Sequence, residues 1–199
     1  MTQAAANSVS GARAAVILTV QQVLLVGLGL GVWHLSGRAL PAFISITMGE
    51  IALGLLFAAI LTGSVYGLQR LFPDASRKIL LEQAKRYSFD YRSLSWPLII
   101  AISIAAGIGE EALFRAGLQT IAGDYIGPVW GLLLANLAFA LIHLSRMVVT
   151  AILFIIGLFL AAAYALSGSL LAVMIAHALY DVWALGNLRK VVIAHGDSE

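Results

Sequence analysis

Six ionisable side chains lie inside stretches that are otherwise apolar. AISIAAGIGEEALFRAGLQ carries Glu110, Glu111 and Arg115. LANLAFALIHLSR carries Asn136 and His143, and SLLAVMIAHALYDVW carries His177 and Asp181. Two carboxylates and two imidazoles can activate a water molecule. In one scheme Glu110 is the general base and His143 helps hold the water. His177 with Asp181 then donates to the oxyanion that develops on a peptide carbonyl. In the other, Glu110, His143 and His177 bind a divalent metal such as Zn2+, which lowers the pKa of bound water toward ~7. The residue types leave both open. No H-E-x-x-H is present, which argues against the common zincin arrangement but not against a dispersed site.

Other hydrolytic arrangements fit less well. Ser169 and His177 are eight residues apart on one expected helix, about 12 Å in rise, too far to pair. No G-x-S-x-G occurs, and the absence of cysteine removes thiolate nucleophiles and thiolate metal sites. Tyr180-Asp181 and Gly123-Asp124 hint at paired aspartates. However, Ile121 stands where the first Gly of a G-x-G-D would be, and Asp124 is expected in a short outer loop.

Helical spacing groups the candidates. Glu111 and Arg115 are four apart and can pair directly. Glu110 is about 100° away around the helix and points elsewhere. His177 and Asp181 share a face, as do Phe139 and His143. The simplest assembly turns Glu110, His143, His177 and Asp181 toward one internal cavity, with Arg115 neutralising Glu111. Charge near a bilayer centre costs ~2.5–3.5 kcal/mol on insertion scales, so a packing role alone is a costly use of these groups. Glu50 is weaker: it has no obvious partner in sequence, and a packing or snorkelling role suits it better than a contribution to the cavity, which stays open.

The elements that must position these residues are membrane helices. The chain has 199 residues, 61% hydrophobic and only 11% charged, with mean hydropathy +0.95. Ordinary soluble domains carry about 25% charged residues, so a soluble globule, a disordered chain and a nucleic-acid-binding module are excluded. Six apolar segments predict an all-α polytopic bundle of about six spans. They run from about Ala14 to Trp33, Ala42 to Leu68, Trp96 to Leu118, Val129 to Leu144, Met147 to Leu166 and Ser169 to Leu188. A tight turn at Ser145 and Arg146 makes the fourth and fifth a helical hairpin. The first segment is expected to stay as a helix rather than be cleaved. Residues 1–13 form an expected disordered tail, 14–188 the membrane domain with its catalytic core at about 96–188, and 189–199 a cytoplasmic tail. Gly157 with Ala161 to Ala163, and the G-x-x-x-G spacings at Gly27/Gly31 and Gly63/Gly67, suit close helix packing.

Six spans put both termini on one side. That side carries Arg13, Arg70, Arg77, Lys78, Lys85, Arg86, Arg92, Arg146, Arg189 and Lys190, ten of the twelve Lys and Arg residues. Arg38 alone falls opposite. The positive-inside rule then makes both termini cytoplasmic. The stretch from Asp74 to Tyr87 reads equally as a solvated basic loop or an interfacial amphipathic helix.

The ordered set E-E-x-x-x-R (Glu110, Glu111, Arg115), F-x-x-x-H (Phe139, His143) and H-x-x-x-D (His177, Asp181) resembles the CPBP family. This is the group of type II CAAX prenyl endopeptidases and bacteriocin-processing, or Abi, proteins. The resemblance covers about residues 96–188. It implies a multi-helix intramembrane endopeptidase in which Glu110 and His143 activate water, and His177 and Asp181 complete the site. Glu111 and Arg115, with Phe139, support it. The family has been described both as metal-dependent and as glutamate-based without metal. The implied partners are the lipid bilayer and a protein or peptide substrate, lipidated in CAAX processing or a bacteriocin precursor in the bacterial branch. Asp181 stands where CAAX-processing members often have Asn, which weakens a CAAX-specific role.

Two other classes compete. A non-catalytic membrane scaffold or bacteriocin immunity factor could retain the family site. An ion or proton transporter could use the buried acids, but these cluster rather than form a relay, and no inverted repeat is visible. One geometric difficulty stands: Glu110 lies about 21 Å along its helix from Trp96, whereas His143 lies at the end of its own segment.

Overall fold

The computed structural model describes residues 11–86 and 94–196, and these contain helices and no strand. The helices are α1 (Gly11–Leu35), α2 (Met48–Leu71), α3 (Pro73–Arg86), α4 (Trp96–Glu111), a π-helical segment (Ala112–Gln119), α5 (Thr120–Ile126), α6 (Pro128–Ile142), α7 (Met147–Ser167) and α8 (Leu170–Gly196). The protein is an all-helical polytopic bundle. Val16, Leu24, Leu55, Ile60, Ile104 and Ile155 are exposed on its outer face, as a hydrocarbon solvent requires. The expected tail at 1–13 falls largely outside the described residues, as do Tyr87 and Arg92. At the other end, α8 continues past Leu188 to Gly196.

Among the described residues five helices are long and apolar enough to cross a bilayer: Val16–Leu35, Met48–Leu71, Trp96–Ile126, Met147–Ser167 and Leu170–His195. The fourth expected span is shorter than the rest. Helix α6 has 15 residues, about 22 Å, against a hydrocarbon core of ~30 Å. The third span is longer than expected and runs unbroken past Leu118 to Ile126. Its polar continuation was misleading, because Gln119 is buried and donates to the Ala161 carbonyl at 3.0 Å. Asp124 is therefore in the last helical turn rather than a loop, and it pairs with Arg38 at 2.7 Å. Gly127, at φ +89°, ends α5, and Pro128 opens α6 at its first turn.

Helix α2 starts at Met48, six residues after the expected Ala42, because Thr47 and Glu50 form a reciprocal capping box. Glu50 also accepts from Ser45 at 2.6 Å and from Ser169 at 3.1 Å. Ser169 in turn accepts from the amide of Ala172 in the first turn of α8. Glu50 thus joins the starts of α2 and α8. The stretch from Pro73 to Arg86 is helical. Its Glu82 pairs with Arg146 at 2.6 Å, and nearby Asn187 of α8 donates to Gln69 of α2 at 2.9 Å. The basic ends of α2, α3 and α8 therefore gather with the α6–α7 turn at one end of the bundle, and the Arg38–Asp124 pair marks the other.

Close helix contacts use other glycines than the G-x-x-x-G pairs. No neighbouring atom lies within 4 Å of where a Cβ would stand at Gly27, Gly31, Gly63 or Gly67. The crossing that matters is α4 on α8. A Cβ at Gly107 would stand 2.8 Å from the Met174 carbonyl oxygen and 2.9 Å from the Ala178 nitrogen. Gly157 behaves as expected and is closed over by Asn136 and Phe139. Gly107→Val is expected to lower stability by about 1–3 kcal/mol through overpacking. Gly63→Ala should be neutral or gain up to about 1 kcal/mol, because Ala is the better helix former. Unfolding titrations in detergent compare the two, and equal effects would contradict this packing.

Candidate active site

Glu110 and Glu111 close α4 where it passes into the π segment, and both are buried. Glu111 accepts from Arg115 Nε at 3.0 Å, and both side chains are fully buried. This pair is the one the four-residue spacing predicts. The π segment that follows is not legible in that spacing. Gly29 of α1 lies directly against the backbone of Ala112, and Thr120 Oγ1 donates to the Arg115 carbonyl five residues back at 2.9 Å. Such widened turns recur at functional sites.

His177 binds the other oxygen of Glu111, its Nδ1 standing 2.8 Å from Oε1. Sequence reasoning did not find this contact, since 66 residues separate the two. The opposite edge of the ring faces two more carboxylates. Nε2 is 3.5 Å from Asp181 Oδ2 and 3.9 Å from Glu110 Oε2. His143 caps the end of α6, and its Nδ1 lies 2.8 Å from the Phe139 carbonyl. Its Nε2 is 3.9 Å from the same Glu110 oxygen. Glu110, His143, His177 and Asp181 therefore do meet. The side chains of His143 and Asp181 keep about a quarter of their surface, so the cluster opens to the outside on their side.

The difficulty over depth resolves through the short α6. Glu110 is 16 residues before Ile126, about 24 Å of rise, and His143 is 15 residues after Pro128, about 22 Å. The two strokes cancel, and His143 returns to the level of Glu110. The helix stops there because Leu144 turns left-handed, at φ +47°, a conformation costing roughly 1–2 kcal/mol for a residue with a side chain.

Phe139 is the common wall. Its buried ring meets His143 edge-on at a centroid distance of 4.9 Å, His177 at 6.1 Å and Phe114 at 5.4 Å. The Arg115 guanidinium carbon sits 5.2 Å over the same ring. A cation on an aromatic face in a dry interior gains about 2 kcal/mol.

Among the described residues no group of three His, Asp or Glu converges closely enough to hold a metal ion. The two Nε2 atoms and Glu110 have the donor chemistry for zinc.

Residues 92–183 match the family model of Rce1-like type II CAAX prenyl endopeptidases. The match covers 92 of the 199 residues, somewhat under half of the chain. The matched stretch holds all three motifs and every side chain in the cluster, so the family resemblance and the geometry fall on the same helices. No curated protein and no solved structure matches the chain. The match supports an intramembrane CAAX-type protease at the level of the family, and the long apolar helices a multi-pass membrane protein.

Removing Arg115 alone leaves a buried carboxylate uncompensated. Arg115→Met is expected to destabilise the fold by about 3–5 kcal/mol, and adding Glu111→Leu should recover much of that loss. Unfolding titrations on the two variants test it. A double variant no more stable than Arg115→Met would count against this reading of the pair.

Proposed function

We propose that the chain is an endopeptidase that cleaves a peptide bond with a water molecule activated by Glu110 and His143. One observation carries this reading. Two imidazole Nε2 atoms stand 3.9 Å from one oxygen of Glu110. That is too long for a direct hydrogen bond and short enough for one water to bridge the three. Glu110 takes the proton of the water as its oxygen attacks the carbonyl carbon. His177 donates from Nε2 to the developing oxyanion, with Asp181 keeping that edge of the ring turned toward the site. The C–N bond then breaks, and Glu110 returns the proton to the leaving amine. Glu111, Arg115 and Phe139 hold the frame.

The substrate we favour is a membrane-associated protein or peptide, either a prenylated CAAX-type chain or a peptide such as a bacteriocin precursor. A groove of about 680 Å³ between α1, α2, α4 and α8 is lined by Leu30, Phe43, Leu55, Ile108, Met174 and their neighbours, with dimensions that suit a hydrocarbon chain. None of the site side chains lines it, so the case for a lipidated substrate rests on the family.

Glu110→Gln, His143→Ala and His177→Ala should each lower cleavage by purified, folded protein by about 10²–10⁴-fold. Glu50→Gln should retain activity, because Glu50 only caps helices. Full activity in Glu110→Gln would sink the proposal. An unchanged phenotype in all three, with no cleavage by the parent, would favour the scaffold or immunity-factor reading. Cleavage is expected to survive a chelator. Loss that Zn2+ restores would replace the metal-free route by one in which Glu110, His143 and His177 close on the ion.

We also place the termini, α3 and the α6–α7 turn in the cytoplasm of a bacterial inner membrane. The gathering of Arg70, Arg77, Lys78, Arg146 and Arg189 toward one end, against Arg38 at the other, supports this orientation. The cysteine-free chain allows a clean test. In intact cells an impermeant thiol reagent should label Ala39→Cys, and it should label Lys78→Cys only after lysis. The reverse pattern would invert the orientation.

A further inference from the structure

Three buried side chains behind Glu111 carry hydrogen-bonding atoms that meet no protein partner. Arg115 gives Nε to Glu111, and its Nη1 and Nη2 find no acceptor. Asn136 donates Nδ2 to the Phe154 carbonyl at 2.9 Å, leaving Oδ1 unpartnered. Gln119 donates Nε2 to the Ala161 carbonyl, leaving Oε1 unpartnered. The set is complementary: arginine only donates, and both amides have already used a donor and retain an acceptor.

All three face one seam. Arg115 and Gln119 are four apart on the π segment, and Asn136 and Phe139 are three apart on α6. Phe154, Gly157 and Ala161 follow one face of α7. Asn136 Oδ1 and the edge of the Phe139 ring occupy the space a Cβ at Gly157 would need, and the Arg115 guanidinium covers that same ring. Both amide orientations are fixed by bonds to backbone carbonyls, which only an NH2 group can make.

We propose that Asn136 and Gln119 are positioning residues, whose side-chain oxygens accept from Arg115 through buried water and so hold its guanidinium against Glu111. Buried water commonly bridges polar groups of this kind. The consequence reaches the site through two bonds already described: Arg115 orients Glu111, and Glu111 fixes His177 at Nδ1. Neither amide touches the reacting atoms. The effect on catalysis rests on the proposed hydrolysis, whereas the effect on His177 does not.

The test uses the full chain, labelled with 15N-histidine, in detergent. The His177 signals are identified by their loss in His177→Gln. Asn136→Leu and Gln119→Met should both shift the His177 ring nitrogens. They should lower kcat on the order of tenfold with KM unchanged, as loss of a supporting partner does at other sites. If Asn136→Leu does not fold, the near-isosteric Gln119→Met decides. Folded variants with parental His177 signals would overturn the proposal, including variants that merely melt earlier. If the parent itself cleaves nothing, the hydrolytic reading fails, and the His177 signals still settle the positioning role.

Discussion

A fully buried carboxylate is the constraint on which this structure depends. Glu111 has no exposure to solvent. An ionised carboxylate in a dry interior persists only when it is paired and hydrogen-bonded. Glu111 has one partner per oxygen, Arg115 at 3.0 Å and His177 at 2.8 Å. Each partner imposes a demand on the fold. Arg115 must leave α4 at an angle that keeps its charge against Phe139, and it does so from the π segment. His177 must arrive from α8, which requires α8 to press on α4 as closely as Gly107 permits. Larger side chains at that crossing would separate the carboxylate from its imidazole.

The second demand is depth. Intramembrane chemistry needs polar groups from several helices at one level, yet spanning helices carry their ends to the two surfaces. The chain meets this with one long helix and one short. The Trp96–Ile126 helix passes through the site level and beyond it, and α6 comes back only as far as Glu110. His143 is then a helix-end residue inside the molecule. Its backbone turn is made at the left-handed Leu144, and its ring is held by the Phe139 carbonyl. Arg146 of the same turn reaches Glu82 of α3, so the connection between α2 and α4 is tied to the histidine's own loop.

Much of the site was legible because its elements are local. The Glu111–Arg115 pair, the shared face of His177 and Asp181, and the Phe139–His143 turn all follow from a spacing of four on a helix. The Glu111–His177 contact was not legible, because helical periodicity says nothing about which helices adjoin. The G-x-x-x-G pairs misled for the same reason: spacing tells that a surface is small, not that another helix lies on it. The capping box at Thr47 and Glu50 was readable as T-x-x-E and assigns Glu50 to the start of α2 rather than to the cavity. The length of the third span was hidden by Gln119 and Asp124. One is polar but satisfied inside the bundle, and the other is charged but paired to Arg38.

Two adjacent carboxylates would repel each other in a low-dielectric interior if both were left bare. Their offset of about 100° around the helix sends them into different surroundings. Glu111 turns inward to a cation and an imidazole, and its charge is neutralised by Arg115. Glu110 turns to the partly open side, where its carboxylate oxygen Oε2 faces His143 and His177 at 3.9 Å, beyond direct bonding. The pair is therefore asymmetric by construction. One acid is consumed in holding the frame, and the other keeps an oxygen able to exchange a proton. His177 connects them, with Nδ1 on the structural acid and Nε2 toward the available one. Any change that loosens the grip on Glu111 should be felt first at His177, and only through it at Glu110. That ordering separates residues that hold the site from those that would act in it.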